Sequence, residues 1–149
     1  MLIHDGVRPC IEKELVDEVI RETTVTGAAV VCTPLQETPI VSEDGKKVDE
    51  MPPRAKMYTA QAPQSFFLGE VLQAHEQVRA ENPSYEGIID TCTLMKKMGR
   101  EISLIEGPRG NIKVTTPEDL YLFRAMIEYR ESEQIFGFSK KDVSTRLVK

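Results

Sequence analysis

Two short segments carry the side chains that could do chemistry. Residues 4–9 read His-Asp-Gly-Val-Arg-Pro and follow the apolar pair Leu2 and Ile3. A carboxylate at such a position can hold a divalent cation or a sugar hydroxyl, and an arginine three residues later can bind a phosphate. A salt bridge between Asp5 and Arg8 that merely closes a turn explains the same spacing equally well.

The second segment, residues 107–116, reads Gly-Pro-Arg-Gly-Asn-Ile-Lys-Val-Thr-Thr. Basic side chains beside a glycine-containing turn that opens a helix can form a phosphate-binding site. Lys113 is the candidate here, although Lys-Val-Thr is also common in edge strands. A third basic segment, residues 52–56, contains Arg54 after two prolines. Its composition alone favours a solvated linker.

The sequence offers no arrangement for covalent catalysis. It contains neither a G-x-S-x-G nor a G-x-x-x-x-G-K-[ST] motif, and no serine or cysteine with an evident histidine base. A metal-dependent phosphohydrolase with a His-Asp pair would need further histidines, and the other one, His75, falls on a predicted amphipathic helix. Positive charge at loop ends with one carboxylate instead favours phosphoryl or nucleotidyl transfer, where catalysis rests on positioning and charge neutralisation.

The elements that must position these residues begin with a βαβ pattern. A short strand at residues 2–4 precedes a helix predicted from Glu12 to about Thr24, and the apolar run at residues 28–32 predicts a buried strand. We expect both strands to be central in a parallel sheet. Residues 4–9 then lie at the carboxyl end of a strand, where open α/β sheets bind ligands.

A different pattern follows at residues 38–50. Two short polar strands flank Asp44-Gly45, which favours a tight turn and predicts a projecting β-hairpin, the arm, over about residues 36–57. Residues 58–67 are predicted to be short and irregular because Pro63 interrupts them.

The rest of the chain alternates helices with one strand. Helices are predicted at residues 68–80 and 88–98, and a strand at residues 102–105. Thr116-Pro117 starts a last helix, whose buried face is expected to carry four apolar residues: Leu120, Phe123, Met126 and Ile127. The sequence therefore predicts one α/β domain over residues 1–138, with a mostly parallel sheet flanked by helices, and a loosely ordered tail at residues 139–149.

Composition limits the classes of function. With 149 residues, 40% hydrophobic and 29% charged, the chain can bury a core and is not a disordered type. A net charge of −5 argues against a nucleic-acid surface. No apolar run approaches the ~20 residues of a membrane span. Cys10, Cys32 and Cys92 form no C-x-x-C pair, so neither a zinc site nor a disulfide framework is indicated, and a cytoplasmic location is expected.

Taken in order, the motifs resemble one family. They are His-Asp-Gly-Val-Arg-Pro at 4–9, Glu-Thr at 37–38, Arg54, Gln-Ala-Pro-Gln-Ser-Phe at 61–66, Ile-Asp at 89–90 and Asn-Ile-Lys-Val-Thr at 111–115. This order and spacing is similar to that of the 2-C-methyl-D-erythritol 4-phosphate cytidylyltransferases and the closely similar ribitol-5-phosphate cytidylyltransferases. The resemblance runs from Leu2 to about Tyr129 and implies a Rossmann-like fold of the nucleotide-diphospho-sugar transferase type.

The resemblance also implies a reaction and a site. CTP and a polyol phosphate give a CDP-polyol and pyrophosphate with Mg²⁺, in isoprenoid or teichoic acid biosynthesis. Arg54 and Lys113 match the basic residues that position the acceptor phosphate. The substrate-binding matches are Asp5, Gly6, Arg8, Thr38 and Asp90, with Asp5 also a candidate metal ligand. The hairpin matches a homodimerisation arm, from which Arg54 would reach the neighbouring subunit's site.

This sequence departs from the family pattern in two respects. Ala62 and Ile89 stand where the family usually has threonine, which leaves the identity of the polyol open. The family's glycine-rich loop with the Arg and Lys that bind the CTP phosphates has no counterpart here. We therefore expect these residues to be the C-terminal portion of a cytidylyltransferase that is inactive alone. A non-catalytic dimerisation or polyol-phosphate-binding module derived from the fold is the alternative.

Overall fold

The computed structural model describes residues 1–136 of the chain. In this part of the chain, the strands are β1 (Leu2–Ile3), β2 (Ala28–Pro34), β3 (Tyr58–Phe66) and β4 (Ser103–Glu106). The α-helices are α1 (Lys13–Thr26), α2 (Leu68–Glu81), α3 (Thr91–Lys97) and α4 (Pro117–Phe136). A single sheet flanked by helices confirms the α/β class. The predicted tail, residues 139–149, lies outside the described residues.

The strands form one mixed sheet in the order β1-β3-β2-β4. Within the described residues, β3 pairs antiparallel with both β1 and β2, and only β2 and β4 pair in parallel. The sheet is thus mixed rather than mostly parallel, because β3 returns from the arm and inserts between the two strands of the βαβ unit. As a result, β2 is central as expected, whereas β1 lies at an edge of the described sheet.

The core lies on both faces of β2, whose side chains alternate between them. On one face, Ala29 and Val31 pack with Leu15 and Val19 of α1. On the other, Ala28 packs with side chains of β3, α2 and α3. Gly27 ends α1 with a φ of 90°, a left-handed conformation that glycine adopts at little cost. The continuous apolar run at residues 28–32 is accordingly buried, as its sequence predicts.

The largest difference from the sequence-based expectation is β3. The irregular segment predicted at residues 58–67 is a nine-residue strand that pairs on both sides. Pro63 lies where the pairing of β2 with β3 shifts register. Val30 pairs with Gln64, but Cys32, two residues on, pairs with Ala60, which is four residues away on β3. A bulge leaves the residues between these pairs out of the ladder, so the missing amide hydrogen of proline breaks no pairing there.

Two other expectations change at the periphery. The four apolar residues of α4 are not buried: Leu120 and Ile127 are exposed, and Phe123 and Met126 are half-buried. Within the described residues, the arm is a loop with one isolated bridge between Val41 and Glu50 rather than two strands. No helix of residues 1–136 is long and apolar enough to cross a membrane.

Candidate functional site

The first candidate segment folds into a closed turn after β1. The amide of Arg8 donates to the carbonyl of Asp5 at 3.0 Å, and the Arg8 Nε donates to the Asp5 Oδ2 at 3.1 Å. The Nε2 of His4 donates to the Arg8 carbonyl at 3.0 Å. Gly6 lies exposed in this turn, where a β-carbon would meet nothing within 4 Å. The turn therefore fixes the Asp5 carboxylate beside the Arg8 guanidinium.

Lys113 reaches the same carboxylate from the other end of the chain. The amide of Val114 donates to the Val7 carbonyl at 2.8 Å, which joins the two candidate segments. The Lys113 Nζ then lies 3.6 Å from the Asp5 Oδ2. One carboxylate oxygen is thus shared by two cations. Because Arg8 is only 9% exposed and Lys113 is 49% exposed, Lys113 is the cation that an incoming anion would meet.

These residues line one cavity of about 370 Å³. Its lining residues are Ile3, Asp5, Arg8, Ala60, Gln61, Ala62, Gln64, Ile89, Asp90, Thr91 and Lys113. Two larger cavities, of about 540 and 530 Å³, lie beside Arg100 and beside Leu104. We choose the 370 Å³ cavity as the candidate site by its charged lining and not by its size. Of these three cavities, only this one is lined by both candidate segments, with Arg8 and Lys113.

The Asp90 carboxylate is already engaged within the protein. Its Oδ1 accepts hydrogen bonds from the amide and the hydroxyl of Thr93, both at 2.7 Å, and its Oδ2 accepts one from Gln64 at 2.8 Å. Burial raises the pKa of Asp90, but these hydrogen bonds outweigh it and hold the pKa below its usual value. Asp90 is the N-cap of α3, which is why that helix begins at Thr91 and not at Ile88.

Within residues 1–136, no cysteine lines this cavity, and Cys92 directly follows its lining residue Thr91 in the sequence. Burial, aided by the nearby Asp90 carboxylate, raises the pKa of the Cys92 thiol to about 12. Since the thiolate is the nucleophilic form, this raised pKa disfavours Cys92 as a nucleophile.

Two of the residues predicted to bind the acceptor lie away from this cavity. Arg54 is in a short 3₁₀ turn, Arg54–Lys56, at the base of the arm, and its Nη1 donates to the Gln36 carbonyl at 2.8 Å. Thr38 is exposed nearby. Neither residue lines the cavity of its own chain. The fold therefore brings Asp5, Arg8, Asp90 and Lys113 together and leaves Arg54 and Thr38 on the arm.

Two polar residues that the site depends on are not among the site residues predicted from the sequence. Gln64, on β3, donates to Asp90 and accepts from the amide of Cys92 at 3.0 Å, so it holds the start of α3. Asn111, in the second candidate segment, is fully buried, and its carbonyl accepts a hydrogen bond from Arg8 of the first segment. Both lie in motifs that carry the family resemblance, Gln64 directly after Pro63 and Asn111 two residues before Lys113, and this placement is the sequence signal that could identify them.

One carboxylate of this site can serve a divalent cation. Asp5 is half-exposed, whereas both oxygens of Asp90 are occupied. Among the described residues, no group of three or more His, Cys, Asp or Glu side chains is placed to hold a metal ion. Mg²⁺ typically binds one or two carboxylates together with substrate phosphates. The donor set therefore fits Mg²⁺ only when a substrate supplies the remaining ligands.

Comparison with known proteins places these features in a family. Residues 1–129 match the family of 2-C-methyl-D-erythritol 4-phosphate cytidylyltransferases. The ribitol-5-phosphate cytidylyltransferase of Streptococcus agalactiae serotype III is 41% identical over 137 residues, covering 92% of this chain and 56% of that protein. The 2-C-methyl-D-erythritol 4-phosphate cytidylyltransferase of Desulforamulus reducens is 34% identical over 130 residues, covering 87% and 54%.

A solved structure of the same family is also similar to this chain. The crystal structure of 2-C-methyl-D-erythritol 4-phosphate cytidylyltransferase from Thermus thermophilus is similar with a TM-score of 0.74 and 31% identity, over 84% of this chain and 60% of that one. The chain spans about half the length of the curated relatives it matches.

Proposed function

Because the chain belongs to the 2-C-methyl-D-erythritol 4-phosphate cytidylyltransferase family, we propose that it carries the acceptor side of a cytidylyltransferase site. CMP from CTP is transferred to a polyol phosphate, either methylerythritol 4-phosphate or ribitol 5-phosphate, with release of pyrophosphate. Relatives named for each acceptor support both possibilities.

The observation that carries this proposal is the pair of cations around Asp5. A phosphate that approaches the cavity meets the half-exposed Lys113, whose ammonium group is 3.6 Å from the Asp5 carboxylate and can leave it for a dianion. Arg8 stays buried and holds the Asp5 carboxylate in place by its hydrogen bond. The 3.6 Å contact is too long for a hydrogen bond, so an acceptor phosphate would gain one with Lys113, and hydrogen bonds between charged partners are roughly twice as strong as neutral ones.

In the proposed reaction, an oxygen of the acceptor phosphate attacks the α-phosphorus of CTP. A new P–O bond forms, the bond to the β-phosphate oxygen breaks, and pyrophosphate takes the electron pair. Lys113 holds the attacking phosphate and reduces its repulsion from the triphosphate. Asp5 would hold a divalent cation together with substrate phosphates, and the cation would neutralise charge on them.

The proposal includes a homodimer formed through the arm. Four apolar side chains of the arm are exposed to solvent: Ile40, Val41, Val48 and Met51. A contact with a second copy would cover them, and it would allow Arg54 to bind the acceptor phosphate in the neighbouring site. Arg54 does not line the cavity that holds Asp5 and Lys113 in its own chain, which is consistent with a role in trans.

A cytoplasmic location is also part of the proposal. All three cysteines are free thiols, which suits a reducing compartment.

Binding of the two polyol phosphates tests the assignment. We expect one of them to bind the 149-residue chain, and Lys113→Ala and Arg54→Ala each to weaken binding by about 10- to 100-fold, since a hydrogen bond to a charged group contributes ~1.5–3 kcal/mol. Isothermal titration calorimetry measures this. Lys96→Ala removes the same charge outside the cavity and should have no effect. Equal affinity in all three variants would refute the site.

The alternative is a module that binds a polyol phosphate without reacting it, since the Asp5, Arg8 and Lys113 side chains that line the cavity all come from this chain. Both functions predict acceptor binding, and they differ in turnover. We expect the 149-residue chain with CTP and Mg²⁺ to form no CDP-polyol. Its formation would show that the chain is a complete catalyst and would exclude the module.

A further inference from the structure

Asn111 is the most deeply buried polar residue near the cavity, with a side chain that is 0% exposed. Its Nδ2 donates to the Ala62 carbonyl at 2.6 Å and to the Gln61 Oε1 at 3.2 Å. Both acceptors belong to the bulged part of β3, where strand pairing leaves backbone groups without ladder partners. The Asn111 side chain therefore ties the loop that carries Lys113 to the middle of the sheet.

The backbone of Asn111 makes a second connection. Its carbonyl accepts a hydrogen bond from the Arg8 Nη1 at 2.6 Å, between residues 103 positions apart in the sequence. Shortly after Asn111, the backbone returns to the same turn, where the Val114 amide donates to the Val7 carbonyl. Asn111 thus joins the three segments that supply the cavity: the turn after β1, the bulge of β3 and the loop before α4.

The same loop is packed tightly against the sheet. A β-carbon on Gly107 would lie 2.4 Å from the Val31 side chain and 3.0 Å from the Gln61 Oε1. The Gly107 amide donates to the Cys32 carbonyl at 2.8 Å. The loop is therefore anchored at Gly107 and again at Asn111, and Lys113 follows the second anchor by two residues.

Stability alone does not explain an asparagine at this position. The Asn111 Oδ1 is buried and accepts no hydrogen bond from the described residues. A buried acceptor without a protein partner opposes folding. Residues that break such a rule tend to occur at functional sites, where geometry matters more than stability.

We propose that Asn111 is a positioning residue that holds Lys113 and the Arg8–Asp5 pair in the relative positions that binding of a polyol phosphate requires. The inference rests on the proposed function, since it names the part of the chain that holds that site's cations in place. Asn111 does not touch the substrate. It acts through Arg8, which its carbonyl binds, and through Lys113, whose loop its side chain anchors.

Backbone hydrogen exchange of the 149-residue chain, measured by NMR, tests the anchoring without any ligand. In Asn111→Ala, we expect the Val114 amide to lose protection while the amides of β2 keep theirs. Asn111→Ser, which retains one donor, should lose less. Val78→Ala, on the buried face of α2, serves as the control for general destabilisation and should lower the protection of β2 at least as much as that of Val114.

Acceptor affinity of the same variants tests the consequence. For whichever polyol phosphate binds the wild-type chain, Asn111→Ala should bind roughly tenfold more weakly at a temperature where circular dichroism shows it folded, because a small displacement of a positioning group is costly. Asn111→Ser should recover part of the affinity, and Val78→Ala should bind like the wild type.

Three results overturn the inference: Val114 protection that falls only in step with β2, affinity that tracks stability in all variants, or failure of both Asn111 variants to fold. A wild-type chain that binds neither polyol phosphate contradicts the proposed function instead. In that case, a selective loss of Val114 protection still supports the anchoring role of Asn111.

Discussion

Two aspartates line the same cavity, and their surroundings give them different tasks. Asp5 is half-exposed, and Arg8 and Lys113 both contact the same carboxylate oxygen, Oδ2. The carboxylate is therefore accessible to a substrate or a metal cation. Asp90 is occupied on both oxygens by Thr93 and Gln64, and it shapes the wall by starting α3. The motif resemblance names both as substrate-binding, which remains a prediction. The geometry favours contact through Asp5 and a structural contribution from Asp90.

Replacing Asp90 should destabilise the chain in a pH-dependent way. Asp90→Ala removes the N-cap of α3 and should lower the free energy of unfolding at pH 7 by ~1 kcal/mol. Because the folded state holds the pKa of Asp90 below its ordinary value of 3.8, its contribution is complete above that pH and is lost as the pH falls through the folded-state value. Urea unfolding of both proteins between pH 7 and pH 3 measures the difference.

The control for this prediction is Asp17→Ala, which removes an exposed carboxylate of α1. Its unfolding free energy should stay close to that of the wild type, since exposed ion pairs contribute ~0–1 kcal/mol. A gap between wild type and Asp90→Ala that persists unchanged to pH 3 would contradict the role assigned to the Asp90 carboxylate.

At the scale of elements, the sequence predicts those helices and strands that a local residue pattern determines. The period of α1 and α2, the buried run of β2 and the Thr116-Pro117 start of α4 are local signals, and the structure confirms those elements. The strand β3 was missed because Pro63 disfavours a central strand, and only the partner strand shows that a bulge accommodates it. The exposure of α4 likewise depends on which surfaces lie next to it, and periodicity carries no such information.

The arm makes the sharpest prediction at this scale. Val48 is exposed near the isolated bridge of the arm, and we propose that a second copy covers it. Val48→Asp would bury an unpaired carboxylate in that interface, which should weaken the dimer by about tenfold or more. Sedimentation equilibrium of the two proteins compares the dissociation constants.

Ser84→Asp adds the same charge in the exposed turn after α2 and should leave the dimer unchanged. A wild-type chain that sediments as a monomer at all concentrations, or a Val48→Asp chain as dimeric as the wild type, would contradict the interface.

At the scale of the whole molecule, the site is a meeting of distant segments. Asp5 and Lys113 were both singled out from the sequence, yet they lie far apart along the chain, and no local pattern predicts their 3.6 Å approach. Only the family resemblance, which rests on the order of the motifs, predicts that Asp5 and Lys113 belong to one site. Neither the residue patterns nor the family resemblance predicts that Asn111 connects the segments. Its burial and its hydrogen bonds depend on the assembled sheet.

The central claim is that a polyol phosphate binds at the Asp5 and Lys113 cavity and not at the larger cavity beside Arg100. Amide chemical shifts of the ¹⁵N-labelled chain, followed during titration with ribitol 5-phosphate and separately with methylerythritol 4-phosphate, test it most directly. We predict that the shifts concentrate at residues 4–8, 61–64 and 111–114. Shifts that cluster instead around Glu70 and Arg100, or no saturable shifts with either compound, would contradict the account.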